Sequence, residues 1–118
     1  MNYIAGRTFD DASAAELCEV IITAPDGDWL AEFIRGLIED RLCASSHLSQ
    51  IRSIYPWKGQ IHDTTETRAT LRTRTALVSE IIARTRLAHP YDIPSIVAVP
   101  VVAANPDYTQ WVLTNTIT

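Results

Sequence analysis

The sequence predicts an α+β chain: two helices on one face of a four-stranded antiparallel sheet, with an extended β-hairpin and a short C-terminal helix. Three observations carry this expectation. Apolar segments of strand period and of helix period follow one another in the order β-α-β-β-α-β. Two long strand-like segments are separated only by the turn sequence PWKG, Pro56 to Gly59. In the stretch LAHPYDIPSI, Pro90 marks where a helix must stop before the last strand begins.

Each element has its own signal. From Leu17, LCEVIITA is a near-continuous apolar and β-branched run and reads as a buried strand. It ends at APDGD, a turn-forming cluster, after which Asp28 is placed to cap a helix. Leu30, Phe33, Ile34, Leu37, Ile38 and Leu42 recur three and four apart, the stripe of an amphipathic helix. Ser45 to Tyr55 alternates imperfectly through Leu48, Ile51 and Ile54, a strand with room for a bulge where the period slips.

Past the turn, Ile61 to Thr73 is a Thr-rich strand with Thr67, Ala69 and Leu71 on one face and Glu66, Arg68, Thr70 and Arg72 on the other. Both strands are long for so small a domain, so the hairpin should project and want a neighbour. A second helix, capped near Thr75, turns Leu77, Val78, Ile81, Ile82, Thr85 and Ala88 inward until Pro90 ends it. IVAVPVVA is the last strand, with Pro100 at an edge or a bulge. Asn105 and Pro106 form the cap and first turn of a closing helix that carries Tyr108, Trp111 and Val112. This order is the ferredoxin-like βαββαβ sandwich, expected as one domain over residues 17–118 behind a loose N-terminal extension at 1–16.

Composition narrows the function classes. The 118 residues, 47% hydrophobic and 20% charged, are ordinary for a folded soluble chain with one core. No apolar run approaches the roughly 20 residues that span a bilayer, so no membrane partner is expected. The first fifteen residues lack the pattern of a signal peptide, which makes a cytoplasmic protein the expectation. A net charge of −4, with Lys58 as the one lysine and the arginines dispersed, speaks against a nucleic-acid partner. Cys18 and Cys43 have neither CxxC spacing nor flanking histidines, so they read as small buried residues rather than zinc ligands. With no serine elbow, HExxH or GxxxxGK loop, no enzyme is expected.

Five stretches occur in a telling order: TAPD after the first strand, RSIYPWKGQI at the hairpin, LRT closing the third strand, HPYDIPSIVAVPV, and NPDYTQWV. Together, from Cys18 to the C-terminus, they resemble the CutA divalent-cation tolerance family. The resemblance implies a ferredoxin-like homotrimer locked by extended hairpins, with a role in tolerance of copper or another divalent cation. Several positions depart from the family pattern. Ser45 stands at the common cysteine position and His47 at the usual asparagine. Lys58 replaces a glutamate at the hairpin tip, Arg72 replaces a lysine, and Ser95 stands where glutamate is frequent. Ile22 and Ala88 occupy positions that are cysteine and histidine in some members, so a metal site built on those two is absent.

The candidate chemistry follows. His89, Tyr91, Asp92, Glu66 and Arg72 would furnish an intersubunit cleft with a base, a hydroxyl, acids and an anion clamp, suited to a small polar ligand. A plainer role for His89 is hydrogen bonding where Pro90 ends the helix. His89 and His47 are the candidate metal ligands, since copper(II) favours imidazole and carboxylate and a three-fold axis turns one ligand per chain into three. Tyr55, Trp57 and Trp111 read as aromatic anchors of a trimer interface. The function expected is copper or other divalent-cation tolerance, exerted by binding at intersubunit clefts rather than by catalysis. The alternative is a metal-independent trimeric signalling or scaffold protein that binds a small metabolite.

Overall fold

The alternation in LCEVIITA becomes strand β1, Leu17–Ala24, in the computed structural model, which describes residues 16–118. Cys18, Val20, Ile22 and Ala24 are all buried, as the inward face of a two-layer domain requires. Helix α1 spans Gly27–Glu39. Its cap is Asp26, not Asp28: Asp26 Oδ1 accepts from the Asp28 N–H at 2.9 Å and the Trp29 N–H at 3.3 Å. Asp28 sits in the first turn, where its charge favours the helix dipole. Gly27 lets that turn approach the third strand, since a Cβ there would lie 2.7 Å from Thr67 Oγ1.

Strands β2, Ser45–Trp57, and β3, Gln60–Arg74, are joined by Lys58 and Gly59, both at positive φ (51° and 80°). Such a two-residue turn matches the twist of the strands it joins. Their register runs unbroken from Ser45 opposite Arg72 to Trp57 opposite Gln60, so the expected bulge is absent. The imperfect apolar period of β2 has another cause: none of its residues is buried, so neither face is held to strict alternation.

Thr75–Leu77 forms a single 3-10 turn that leads into α2, Val78–Ala88, with no side-chain cap from Thr75 or any neighbour. Leu77, Ile81 and Thr85 face the core. Ala88 is exposed rather than inward, and burial passes instead to His89 as the chain leaves the helix. Strand β4 is only Ile96–Pro100, shorter than IVAVPVVA. Pro100 has no amide hydrogen to give and closes this edge strand. Helix α3, Pro106–Thr114, starts after Asn105 as predicted, although the Asn105 side chain makes no capping bond.

The sheet order is β2-β3-β1-β4, antiparallel throughout, with α1 and α2 on one face: the ferredoxin-like arrangement. Val20, Ile22, Leu30, Leu37, Leu71 and Ile81 fill the layer between. Helix α3 closes one end of the opposite face, where Arg74 donates to Leu113 O at 2.6 Å and to Thr116 Oγ1 at 2.8 Å. Cys18 and Cys43 are free and buried. Burial pushes the Cys43 thiol up to about 12 and raises that of Cys18 as well, which makes both unreactive.

At the far end of the hairpin the described residues leave apolar side chains uncovered. The molecule measures 53 × 29 × 21 Å, and its radius of gyration of 16.1 Å exceeds the ~13 Å of a compact chain of about 100 residues. Ile54 and Ile61 are 63% and 73% exposed there. Among the described residues no helix is long and apolar enough to cross a membrane. The expected N-terminal extension lies outside the described residues except for Glu16.

Candidate functional site

Pro90 forces His89 out of the helix, at φ −68° and ψ 139°, and this turn swings the imidazole toward β1. Its Nε2 lies 2.7 Å from Thr23 O, and its Nδ1 accepts the Tyr91 N–H at 3.0 Å. A carbonyl only accepts and an amide N–H only donates, so in the neutral ring the hydrogen sits on Nε2. The ring also packs edge-on against Trp29 of α1, with centroids 5.6 Å apart. Both nitrogens are therefore engaged by main chain, and the ring fixes where the loop after α2 begins.

That loop delivers Tyr91 to the other side of the sheet. The Tyr91 hydroxyl donates to Glu66 Oε2 at 2.7 Å. Glu66 lies on the β3 face turned away from α1 and α2, opposite Ile51 of β2, yet is only 5% exposed. Burial pushes the Tyr91 phenol above its ordinary value of 10.0, and Glu66 and Tyr55 add to the shift. The unfolded chain therefore gives up this proton first. The stabilisation is whole below about pH 10 and declines as pH rises further. In an alkaline titration followed by phenolate absorbance, Tyr91 should ionise above the ordinary phenol range. Tyr91→Phe should delete that late step and flatten the alkaline loss of stability; an unchanged titration would show that the pair is not formed.

Around this pair opens a cavity of about 730 Å³ lined by Ser53, Tyr55, Trp57, Glu66, Tyr91 and Asp92 among others. The chain thus gathers Glu66, Tyr91 and Asp92 with Tyr55 and Trp57, and sets His89 just behind them. Arg72 is elsewhere. It lies six residues along β3 from Glu66, roughly 20 Å on. There it pairs with Glu19 at 2.5 Å beneath the Tyr108 ring. His47 stands exposed on β2 opposite Thr70, away from the His89 ring in the helix layer. Trp111 stacks on Tyr108 in α3, half exposed, at 5.7 Å. Trp29 and Thr23, which position His89, and Glu19, which holds Arg72, were not singled out by the sequence.

Comparison with known proteins agrees with this fold. The family model described as CutA1 divalent ion tolerance protein matches residues 18–115. The divalent-cation tolerance protein CutA of Pyrococcus horikoshii is 35% identical over 97 residues, 82% of this chain and 95% of the relative. The crystal structure of CutA1 from Pyrococcus horikoshii superposes with a TM-score of 0.82 at 33% identity, over 86% of this chain and 99% of that one. The structure of a protein from Archaeoglobus fulgidus, described as a periplasmic divalent cation tolerance protein CutA, has a TM-score of 0.82 at 25% identity, over 84% and 97%. Alike in sequence from the first buried strand to the last helix, and alike in fold, the chain belongs to the CutA1 divalent ion tolerance protein family.

Proposed function

We propose that this chain acts in divalent-cation tolerance, copper among the cations, as a homotrimer that works by binding at clefts between subunits rather than by catalysis. The position of the cavity supports this reading. Its wall from Ser53 to Trp57 belongs to the same hairpin whose Ile54, Trp57 and Ile61 stand in solvent. The surface that needs a neighbour is therefore also the rim of the cavity. The Glu66 and Asp92 carboxylates and the Tyr91 phenol are oxygen donors of the kind divalent cations take. Among the described residues no three His, Cys, Asp or Glu side chains cluster as a metal site, so the next subunit, with His47 a candidate, would complete the set. Binding rather than catalysis fits His89, because an imidazole tied to main chain at both nitrogens is poorly placed to move a substrate's proton. The cytoplasm is the compartment we assign, since two unpaired buried cysteines suit a reducing environment.

A second reading, a metal-independent trimer that binds a small metabolite, has its own support. A cavity of about 730 Å³ is of the size that takes organic ligands and far exceeds a bare ion. Native mass spectrometry with added copper(II) and zinc tests the two. A trimer that takes up metal in one or three defined steps supports the first reading. A trimer that takes it up only in a ragged series favours the second, and a monomer overturns both.

A further inference from the structure

We propose that the cleft takes an organic cation: a small amine with an alkyl or aromatic body. This rests on the second, small-ligand reading of the cleft. The starting point is Glu66, a carboxylate that is 5% exposed and makes no ion pair among the described residues. Its one side-chain hydrogen bond comes from the neutral Tyr91 phenol at Oε2, which leaves Oε1 without a described partner. Glu19, the other part-buried acid on this sheet face, has Arg72 as its counter-charge. A buried carboxylate without a counter-charge is costly, and a positive group in the cavity would supply what the chain does not.

The rest of the lining agrees with that sign and adds a shape. A second carboxylate, Asp92, joins Glu66, and among the described residues no lysine, arginine or histidine lines the cavity. A phosphate or carboxylate ligand would therefore meet like charge with no clamp to hold it. Tyr55, Trp57 and Tyr91 present aromatic rings, which attract ammonium groups. Trp57 already does so within the chain, where the Lys58 ammonium stands 5.9 Å from the ring centroid. Ile54, Pro56, Pro90 and Ile93 give apolar surface to which a hydrated metal ion has nothing to offer but an alkyl or aryl body does.

The test uses the full chain in its native assembly and a matched pair of probes. Phenethylamine and phenethyl alcohol have the same body and differ in the charged head. Calorimetric titration should show the amine binding at least about tenfold more tightly than the alcohol, a difference of one ammonium–carboxylate contact. Glu66→Gln keeps an acceptor for Tyr91 and should erase that preference, as Asp92→Asn, at an exposed position, should reduce it. Both variants should keep the wild-type assembly mass. Equal binding of amine and alcohol, or preferential binding of inorganic phosphate, overturns the proposal. So does stepwise uptake of copper(II) with no amine bound at about 10 mM, a result that leaves the metal reading of the cleft standing.

Discussion

Trp57→Asp is expected to dissociate the assembly and to leave a chain whose unfolding no longer depends on protein concentration. In one chain Trp57 is 37% exposed, on the same hairpin end as Ile54 and Ile61, which the described residues leave 63% and 73% exposed. A two-stranded ribbon is marginal alone in water, so these residues call for a partner. An interface aromatic is worth about 2–4 kcal/mol when removed, and a three-fold axis repeats the loss three times, to about 6–12 kcal/mol per trimer. That weakens association by about four to nine powers of ten. Sedimentation and thermal unfolding across a range of concentrations would read both effects. Leu87→Asp is the control, because Leu87 is 90% exposed on α2, outside the hairpin. If the wild-type chain sediments as a stable monomer, the exposed hairpin has some other reason and the trimer is wrong.

Much of the fold was legible because burial leaves a period. The inward face of β1, the stripe of α1 and the stop at Pro90 all follow from which side of an element meets the core. Where burial is absent, so is the signal. β2 has no buried residue, and its pattern could be read as a bulge that the unbroken pairing with β3 excludes. The cap of α1 was ambiguous for a different reason: APDGD offers two aspartates, and the choice of Asp26 is made by its extended backbone and the close seat of Gly27 on Thr67. The end of β4 turned on whether Pro100 sits inside the strand or closes it, which is a question about pairing.

The candidate site was legible as residue types but not as neighbours. Glu66 and Tyr91 are 25 positions apart, and only the loop anchored by His89 brings them together. Arg72 shares a strand face with Glu66 but stands six residues, roughly 20 Å, further along it, so the spacing already points to a partner on another strand or subunit. Which partner it takes is set by the register, which puts Arg72 directly opposite Glu19 of β1. That pairing becomes visible only once β1 and β3 are known to be neighbours. Thr23 left no trace at all, because it contributes a main-chain carbonyl and any residue would provide one.

His89→Ala should cost about 3 kcal/mol of stability, through the lost packing on Trp29 and two hydrogen bonds whose partners are left with nothing in the cavity behind. For this 118-residue chain that lowers Tm by roughly 12 °C. His89→Gln separates the contributions. Its amide N–H can still reach toward Thr23 O, but it cannot also accept from the Tyr91 N–H with the ring's geometry, so roughly half the loss should return. A cation ligand would behave differently: its removal would abolish the defined copper steps in native mass spectrometry and leave Tm nearly unchanged. The bonding on both ring nitrogens argues for a large thermal shift, with cation uptake in the Gln variant close to wild type. The reverse pattern, copper steps lost at constant Tm, would make His89 a ligand and require its ring to leave Thr23 when the ion binds.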